Sequence, residues 1–427
     1  MSAVDGTLRR VSQSPPNAPH RVPSQTTLRQ RLADLRGPAV APRPLDARAL
    51  AALAANPGCR RRALLDGAGV DKTALAAALG APSSFGQSQF AIVRGNAFEA
   101  RVKADGGTEL LRLLHEQLGA LGAPEVPAPP PAPHSPPDLT AAGPQGRAAR
   151  TALALREAST AREWTLLDHP MLALDVAGTP AYLEPDAVVV HPDGRWTVVE
   201  IKSFPVIDGV ADAAKVGAAA RQSAVYVLAL ERVAQQLTQV AGAPSPTVGH
   251  SVLLVCPRNF SNQPTASAVD VRKQRATTAR QLARLTRVEE IAAELPAGAT
   301  FDPAAGRFEL TQAVEAVEAA YAPDCLSACE LAFHCRERAR AAGAVTTLGR
   351  GARGELGGLD RVEQALAASG GLAPDLEDPA SAALRRAARL RAQALEAAAR
   401  SAAPPSRSAA GPAPHCGHDQ AQGVPCR

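Results

Sequence analysis

The stretch AYLEPDAVVVHPDGRWTVVEIKSF, residues 181–204, consists of two apolar, β-branched runs separated by His191-Pro192-Asp193-Gly194. Val, Ile, Trp and Phe suit a pleated surface, and a Pro-Asp-Gly break between two such runs is a hairpin signal. The pattern predicts one strand led by Asp186 and a second, antiparallel one that ends at Glu200 and Lys202. Side chains alternate along a strand, so Glu200 and Lys202 are expected on one face and Ile201 in the core. Fourteen positions separate Asp186 from Glu200, a length that lets a hairpin bring both carboxylates to one end of a sheet. Two carboxylates beside a lysine suit metal-assisted phosphodiester hydrolysis. The carboxylates hold a hard cation, the cation acidifies a bound water, and the ammonium orients that water or stabilises growing charge. An isolated Glu-x-Lys is ordinarily the wet face of a surface hairpin. Here Val198, Val199 and Ile201 surround it and an Asp opens the preceding strand.

Outward from the hairpin, WTLLDHPMLALDV (164–176) and SVLLVCP (251–257) also read as strands, and helical periodicity runs from about Asp212 to Val240. Further helices are expected near 96–102, over TELLRLLHEQLGALG (108–122), and near 146–158, 269–295 and 311–321. The expected fold is α/β, a small central mixed sheet flanked by helices, with disordered tails. Residues 1–45 read as a disordered N-terminal tail, 46–340 as the folded domain, and 341–427 as a largely disordered Ala/Arg-rich tail with one helix near 376–400. Within the domain, helical periodicity begins at Leu45–Leu79, and 121–137 form a proline-dense loop.

Composition narrows the function classes. Aromatics make up 3% and the formal net charge is +5, a mild lean toward a polyanionic partner. Only five cations are lysines (Lys72, Lys103, Lys202, Lys215 and Lys273), so each is a candidate for a role arginine cannot fill. No apolar run of membrane-spanning length and no secretory signal is visible, and the expected setting is cytoplasmic, without a membrane. In a reducing compartment, seven cysteines point to metal binding or reactivity before disulfides.

Two helical motifs accompany the hairpin. Gly95-Asn96-Ala97-Phe98-Glu99 carries a carboxylate upstream, and Gln222-Ser223-Ala224-Val225-Tyr226 sets Gln and Tyr on one helical face. Taken in order, Gly-x₃-Glu, the strand-leading Asp, Glu-x-Lys and Gln-x₃-Tyr resemble the RecB-type branch of the PD-(D/E)XK nuclease superfamily over roughly residues 90–260. The resemblance implies a restriction-endonuclease-like core with Asp186 and Glu200 as ligands of Mg²⁺ or Mn²⁺, joined by the Ile201 carbonyl and Glu99. It makes Lys202 the catalytic lysine and gives Gln222 and Tyr226 the positioning of active site and DNA backbone. Many members carry His where Glu99 stands.

Cys325-x₃-Cys329-x₅-Cys335 is a compact thiol group that needs a fourth ligand, and Cys59 lies far upstream. This arrangement is similar to the iron–sulfur subset of RecB-type nucleases, including CRISPR adaptation exonucleases, and implies a [4Fe-4S] cluster on Cys59, Cys325, Cys329 and Cys335. The first gap holds three residues where the family usually has two. His334 keeps a structural Zn²⁺ reading open, with three thiolates and one imidazole. Cys256 reads as core, and His415, Cys416, His418 and Cys426 as incidental to a Gly/Pro-rich tail.

Lys273, Arg280, Arg284 and Arg287 recur on one face of the expected 269–295 helix, and Arg60–Arg62 follow Cys59; both groups are candidate phosphate contacts. The expected function is a metal-dependent DNA nuclease, an exonuclease on single strands or ends, in DNA processing, repair or phage defence. No P-loop is present, so a helicase or defence-complex subunit would be a separate chain. The alternative is a catalytically inactive nucleic-acid-binding module with a structural zinc or iron–sulfur site.

Overall fold

The strands are β1 Thr165–Asp168, β2 Leu172–Val176, β3 Thr179–Leu183, β4 Ala187–Val190, β5 Arg195–Ile201, β6 Thr247–Val248, β7 Ser251–Pro257 and β8 Pro264–Asp270, and β-branched residues dominate β4 and β5. They belong to a computed structural model that describes residues 25–82, 89–120, 126–131, 135–239, 245–372 and 378–402. The main sheet runs β1-β4-β5-β7-β8, with β6 alongside β5, and β2–β3 form a separate hairpin. Neighbours pair antiparallel except at β5, which lies parallel to β6 and β7. A parallel neighbour demands a crossover, and the helix after β5 supplies it. The β4–β5 turn closes through the Gly194 amide, which donates to the His191 carbonyl at 2.9 Å while Gly194 takes φ +84°. A side chain there would be strained, which is why Gly stands at the turn.

The chain divides into two units, Met1–Arg338 and Ala339–Arg427. In the first, helices α1 Gln25–Arg36, α2 Ala47–Ala55, α3 Arg60–Gly67 and α4 Lys72–Ala78 precede α5 Gln89–Val102 and α6 Ala104–Ala120. Then come α7 Gly143–Ala161, α8 Ala213–Thr238, α9 Arg272–Leu282, α10 Val288–Ala293 and α11 Arg307–Glu315, and α12 Ala332–Ala341 runs across the boundary. Aspartates start three of them: Asp46, Asp71 and Asp212 each accept backbone N–H bonds in the first turn of α2, α4 and α8.

Both sheet faces are covered. Val188, Val190, Trp196 and Val198 pack in one cluster with Ala154, Leu155 and Ala158 of α7 and Ala224, Val225 and Val227 of α8. Ala187, Val189, Val199 and Ile201 pack on the other face with Phe98 and Val102 of α5 and Leu110 and Leu114 of α6. Each large apolar side chain so buried contributes roughly 1.5–3 kcal/mol. The one buried indole nitrogen on the first face is satisfied: Trp196 Nε1 donates to Ser159 Oγ at 2.9 Å.

Several expectations need correction. The N-terminal tail is shorter than 1–45, because Leu32 and Leu35 of α1 are buried and the Phe301 amide donates to the Leu35 carbonyl at 2.6 Å; residues 1–24 lie outside the described residues. The 269–295 helix is two helices, α9 and α10, and its first residues belong to β8. The strand expected over 164–176 is split by His169, whose φ of +45° leaves extended geometry, into β1 and β2. The described part of the 121–137 loop lacks regular structure, and Trp164 Nε1 holds it by donating to the Pro127 carbonyl at 2.8 Å. In the second unit, α13 Arg350–Glu355 and α14 Val362–Ser369 accompany α15 Pro379–Ala402, so 341–427 is more ordered than composition implies. His415, Cys416, His418 and Cys426 lie outside the described residues. Among the described residues no helix is long and apolar enough to cross a membrane.

Candidate functional site

Asp186 stands one residue before β4, and Glu200 lies near the end of β5, where Ala187 pairs with Val199. The antiparallel register therefore brings the two carboxylates to the same sheet end. Asp186 Oδ2 accepts the Ile201 amide at 2.6 Å, which ties the start of β4 to the end of β5. Ile201 itself is core, as the alternation predicts. Glu200 is not on a wet face, though: it is 1% exposed, because helices cover its side of the sheet too. Its Oε1 forms an ion pair with the Lys202 ammonium in poor hydrogen-bond geometry, and Oε2 has no hydrogen-bond partner among the described residues. Burial, reinforced by Asp186 and opposed by Lys202, pushes the Glu200 carboxyl up to about 7. Burial also raises Asp186, against the pull of Lys202 and the Ile201 amide. Lys202 is itself desolvated, yet Glu200 and Asp186 keep it firmly charged.

The Gln222–Tyr226 pair of α8 joins this end of the sheet. Gln222 Nε2 donates to the Tyr226 hydroxyl at 3.0 Å, and that hydroxyl donates to the Glu184 carbonyl at 3.2 Å, fixing the turn ahead of Asp186. Arg147 of α7 reinforces the turn, reaching Glu184 Oε1 at 2.7 Å and the His169 carbonyl at 3.0 Å.

Glu99 of α5 reaches the same end but is engaged by residues that sequence reasoning does not assign to the site. Lys103 Nζ lies 2.5 Å from Glu99 Oε1 and 2.6 Å from Asp168 Oδ1, and His169 Nε2 lies 2.9 Å from the same Glu99 oxygen. Burial pulls the Glu99 carboxyl upward, but His169 and Lys103 win and hold it down to about 2. Two signals point to Lys103: it is one of five lysines, and Glu99-x₃-Lys103 is the i,i+4 spacing of a helical ion pair. Asp168 and His169 carry no local signal, because β1 pairing with β4 brings them there.

The segment around Cys59 docks on the cysteine-bearing segment. Arg61 is 8% exposed; its Nε donates to the Val317 carbonyl at 3.1 Å and its Nη1 to Cys335 Sγ at 3.3 Å. Arg62, 6% exposed, donates to the Ala328 carbonyl and to Asp66. Asn56 Nδ2 lies 3.6 Å from Cys325 Sγ. Cys59 adjoins one of the two segments that these bonds join, and Cys325, Cys329 and Cys335 lie on the other. Burial raises both the Cys335 and Cys329 thiols, Cys329 to about 12, while Arg61 and Arg62 oppose it. Buried guanidinium groups beside sulfur suit a set of thiolates, whose negative charge they offset. His334 is 5% exposed, kept neutral by burial and by Arg61 and Arg338, and its Nε2 has no hydrogen-bond partner among the described residues.

Arg61 and Arg62 are thus not a phosphate-binding surface; packing against 317–335 removes them from solvent. Arg60 is paired with Glu294 at 2.5 Å. Lys273, Arg280, Arg284 and Arg287 are exposed as expected, but only Lys273 and Arg280 share one helix, and Arg287 pairs with Glu289 at 2.6 Å. Cys256 is 1% exposed core on β7. Among the described residues no group of three or more His, Cys, Asp or Glu side chains is arranged to hold a metal ion. No family model, curated protein or solved structure matches the chain.

Proposed function

We propose that the chain is a metal-dependent deoxyribonuclease of the RecB type, acting on single strands or ends. One observation carries the reading. Glu200 is a carboxylate buried to 1% exposure, with an oxygen that has no hydrogen-bond partner among the described residues, next to Asp186 and Lys202. A buried carboxylate so poorly satisfied is costly, and such strain concentrates where a ligand completes the arrangement. The mixed sheet β1-β4-β5-β7-β8 between two helical layers is the frame expected of a restriction-endonuclease-like core.

Asp186, Glu200 and the Ile201 carbonyl are the residues that would hold Mg²⁺ or Mn²⁺. Such an ion supplies Lewis-acid chemistry at the scissile phosphate. The chain's own residues do the rest. Lys202 presents a charge beside the carboxylates, where negative charge grows on the phosphate. Tyr226 and Gln222 hold the turn that aims Asp186. Lys273, Arg280, Arg284 and Arg287 contact the DNA backbone without sequence preference. Cys59, Cys325, Cys329 and Cys335 are the residues that would hold a [4Fe-4S] cluster, with zinc as the alternative filling.

The test is incubation of anaerobically purified protein with labelled single- and double-stranded DNA in Mg²⁺ or Mn²⁺, with Lys202→Ala as control. DNA loss that vanishes in the variant, and a broad absorption band near ~400 nm, are the expected results. DNA binding without cleavage, equal in both proteins, would sink the enzymatic reading.

A further inference from the structure

Two turns leave the end of the main sheet that bears Glu200 and Lys202. β5 and β7 are parallel, and the Lys202 amide still donates to the Val255 carbonyl at 2.9 Å, so the chain beyond both strands emerges at one edge. Beyond β7, residues 258–263 turn into β8, and Phe260 on that turn is 86% exposed. Beyond β5, Ile207 and Val210 exchange two backbone bonds of 2.9 Å across Asp208 and Gly209, which take φ of +50° and +81° as a two-residue turn requires. Ile207 and Val210 are exposed as well. Neither turn is loose. The Arg258 amide donates to the Gln263 carbonyl at 2.8 Å, the Ser261 hydroxyl to the Arg258 carbonyl at 2.7 Å and the Gln263 amide to Ser261 Oγ at 3.1 Å. The turns are also tied to each other: the Asn259 amide donates to the Val206 carbonyl at 2.7 Å, and the Asp208 amide to Asn259 Oδ1 at 3.1 Å. Their base rests on Phe204 and Val206, which pack against Leu254 and Cys256. Three apolar side chains on two joined, rigid turns form a patch at the edge of the candidate site, and the fold does not use the Phe260 ring to hold itself together.

The neighbours of the ring say what covers it. The turn reads Arg258-Asn259-Phe260-Ser261-Asn262-Gln263, so a flat aromatic face is bordered by a cation and by amides. An unpaired base matches that chemistry: its face stacks on the ring, its edge takes amide hydrogen bonds and its phosphate takes a guanidinium. Val206 is four residues from Lys202, at most roughly 14 Å of extended chain. A strand with a phosphate at Lys202 thus has neighbouring bases within reach of the turns. We propose that the joined turns are a stacking platform for an unpaired DNA base close to the scissile phosphate, with Phe260 against the base and Ile207 and Val210 as its apolar border. The proposal rests on the nuclease reading above and deepens it. It names the substrate as a single strand or a frayed end, because a base inside a duplex has no free face. Arg258 and Asp208 are the only charged residues at 206–210 and 258–263, and they cancel, so this contact works by stacking and not by charge.

The test uses single-stranded DNA carrying 2-aminopurine at one end or the other, mixed with the full chain before metal is added. Stacking on an aromatic ring quenches the fluorescence of this base. The wild type is expected to quench at least one of the two probes. Phe260→Ala is expected to lose that quenching and to bind about 10-fold more weakly. The slope of log affinity against log salt should stay unchanged, because no charge is removed. Phe260→Trp keeps a flat ring and should retain both properties, whereas Phe260→Leu, apolar but not flat, should behave like Phe260→Ala. Phe308→Ala removes another exposed ring, on α11, and should change nothing. Mg²⁺ or Mn²⁺ is then added to the same samples and DNA loss is followed. Equal quenching and affinity in wild type and Phe260→Ala would overturn the platform, and DNA loss in those samples would leave the nuclease reading standing. Quenching that depends on Phe260 without any DNA loss would support the platform and remove the nuclease reading. No DNA binding by the wild type would overturn both. A wild type that sediments as a dimer and a Phe260→Ala protein that sediments as a monomer would make the turns an interface between copies, and overturn the platform.

Discussion

The Ile201 amide donates to Asp186 Oδ2 at 2.6 Å, so the strand that carries Glu200 also orients the carboxylate that leads β4. Asp186→Asn keeps an oxygen for that bond but loses the charge. Its melting temperature is expected to change by a few degrees at most. Cleavage is expected to fall by about 10³-fold or more, the scale of losing a key electrostatic group. A fall in stability matching the fall in activity would make Asp186 structural.

Glu200→Gln is expected to stabilise the metal-free protein at alkaline pH. Burial outweighs the attraction of Lys202, so the folded-state carboxyl, at about 7, titrates above its unfolded value of 4.5. Its protonated form is favoured by folding. That contribution is complete below the unfolded value and is lost as pH rises through the folded one. Urea denaturation at pH 5 and pH 8 should thus show the variant and wild type converging at the lower pH. A gap of equal size at both values would refute the assignment.

Tyr226→Phe removes the donor to the Glu184 carbonyl and the acceptor for Gln222. A loss of about 1 kcal/mol in stability is expected from the bond. Activity should fall through kcat more than through KM, since the turn before Asp186 loses its tie. An effect confined to KM would instead make Tyr226 a direct DNA contact.

Arg61→Met keeps the bulk of a buried side chain and removes the bonds to the Val317 carbonyl and Cys335. The expected result is loss of metal content and of any visible absorption, together with faster proteolysis of α1–α4. Cys59→Ser should have the same signature, and an iron chelator should reproduce it in the wild type. Full metal content in Arg61→Met would remove the guanidinium from the cysteine site.

Replacing Lys273, Arg280 and Arg284 by Gln should weaken DNA binding equally for unrelated sequences. The slope of log affinity against log salt should become shallower by roughly 0.7–0.9 for each phosphate no longer neutralised. An unchanged slope would show that the DNA path lies elsewhere.

Much of the architecture is legible where local chemistry decides it. The β4–β5 hairpin follows from Val-rich runs around His191-Pro192-Asp193-Gly194, α8 from its Asp212 cap and long amphipathic pattern, and β7 from an unbroken apolar run. β8 is not legible, because Pro-Thr-Ala-Ser-Ala-Val-Asp lacks large residues and takes its extended form from pairing with β7. The order in residues 25–45 rests on Leu32 and Leu35 packing against chain far away in sequence, which no local window contains. Asp186, Glu200, Lys202, Gln222 and Tyr226 can be picked out because each sits on or beside a regular element at readable spacing. Asp168 and His169 cannot, since they reach the site only once β1 has paired with β4.

The bonds from Arg61 to the Val317 carbonyl and to Cys335 join residues 256 and 274 positions apart. During translation, the N-terminal helices emerge long before the segment that clasps them. Contacts of such sequence separation make folding slow. The hairpin and its helix can assemble while the ribosome is still at work, but α3 cannot lodge until the chain beyond Cys335 has left the exit tunnel. Docking of α3 is therefore a late event, and a chain stalled or cleaved before that point would leave its N-terminal helices open to chaperones and proteases.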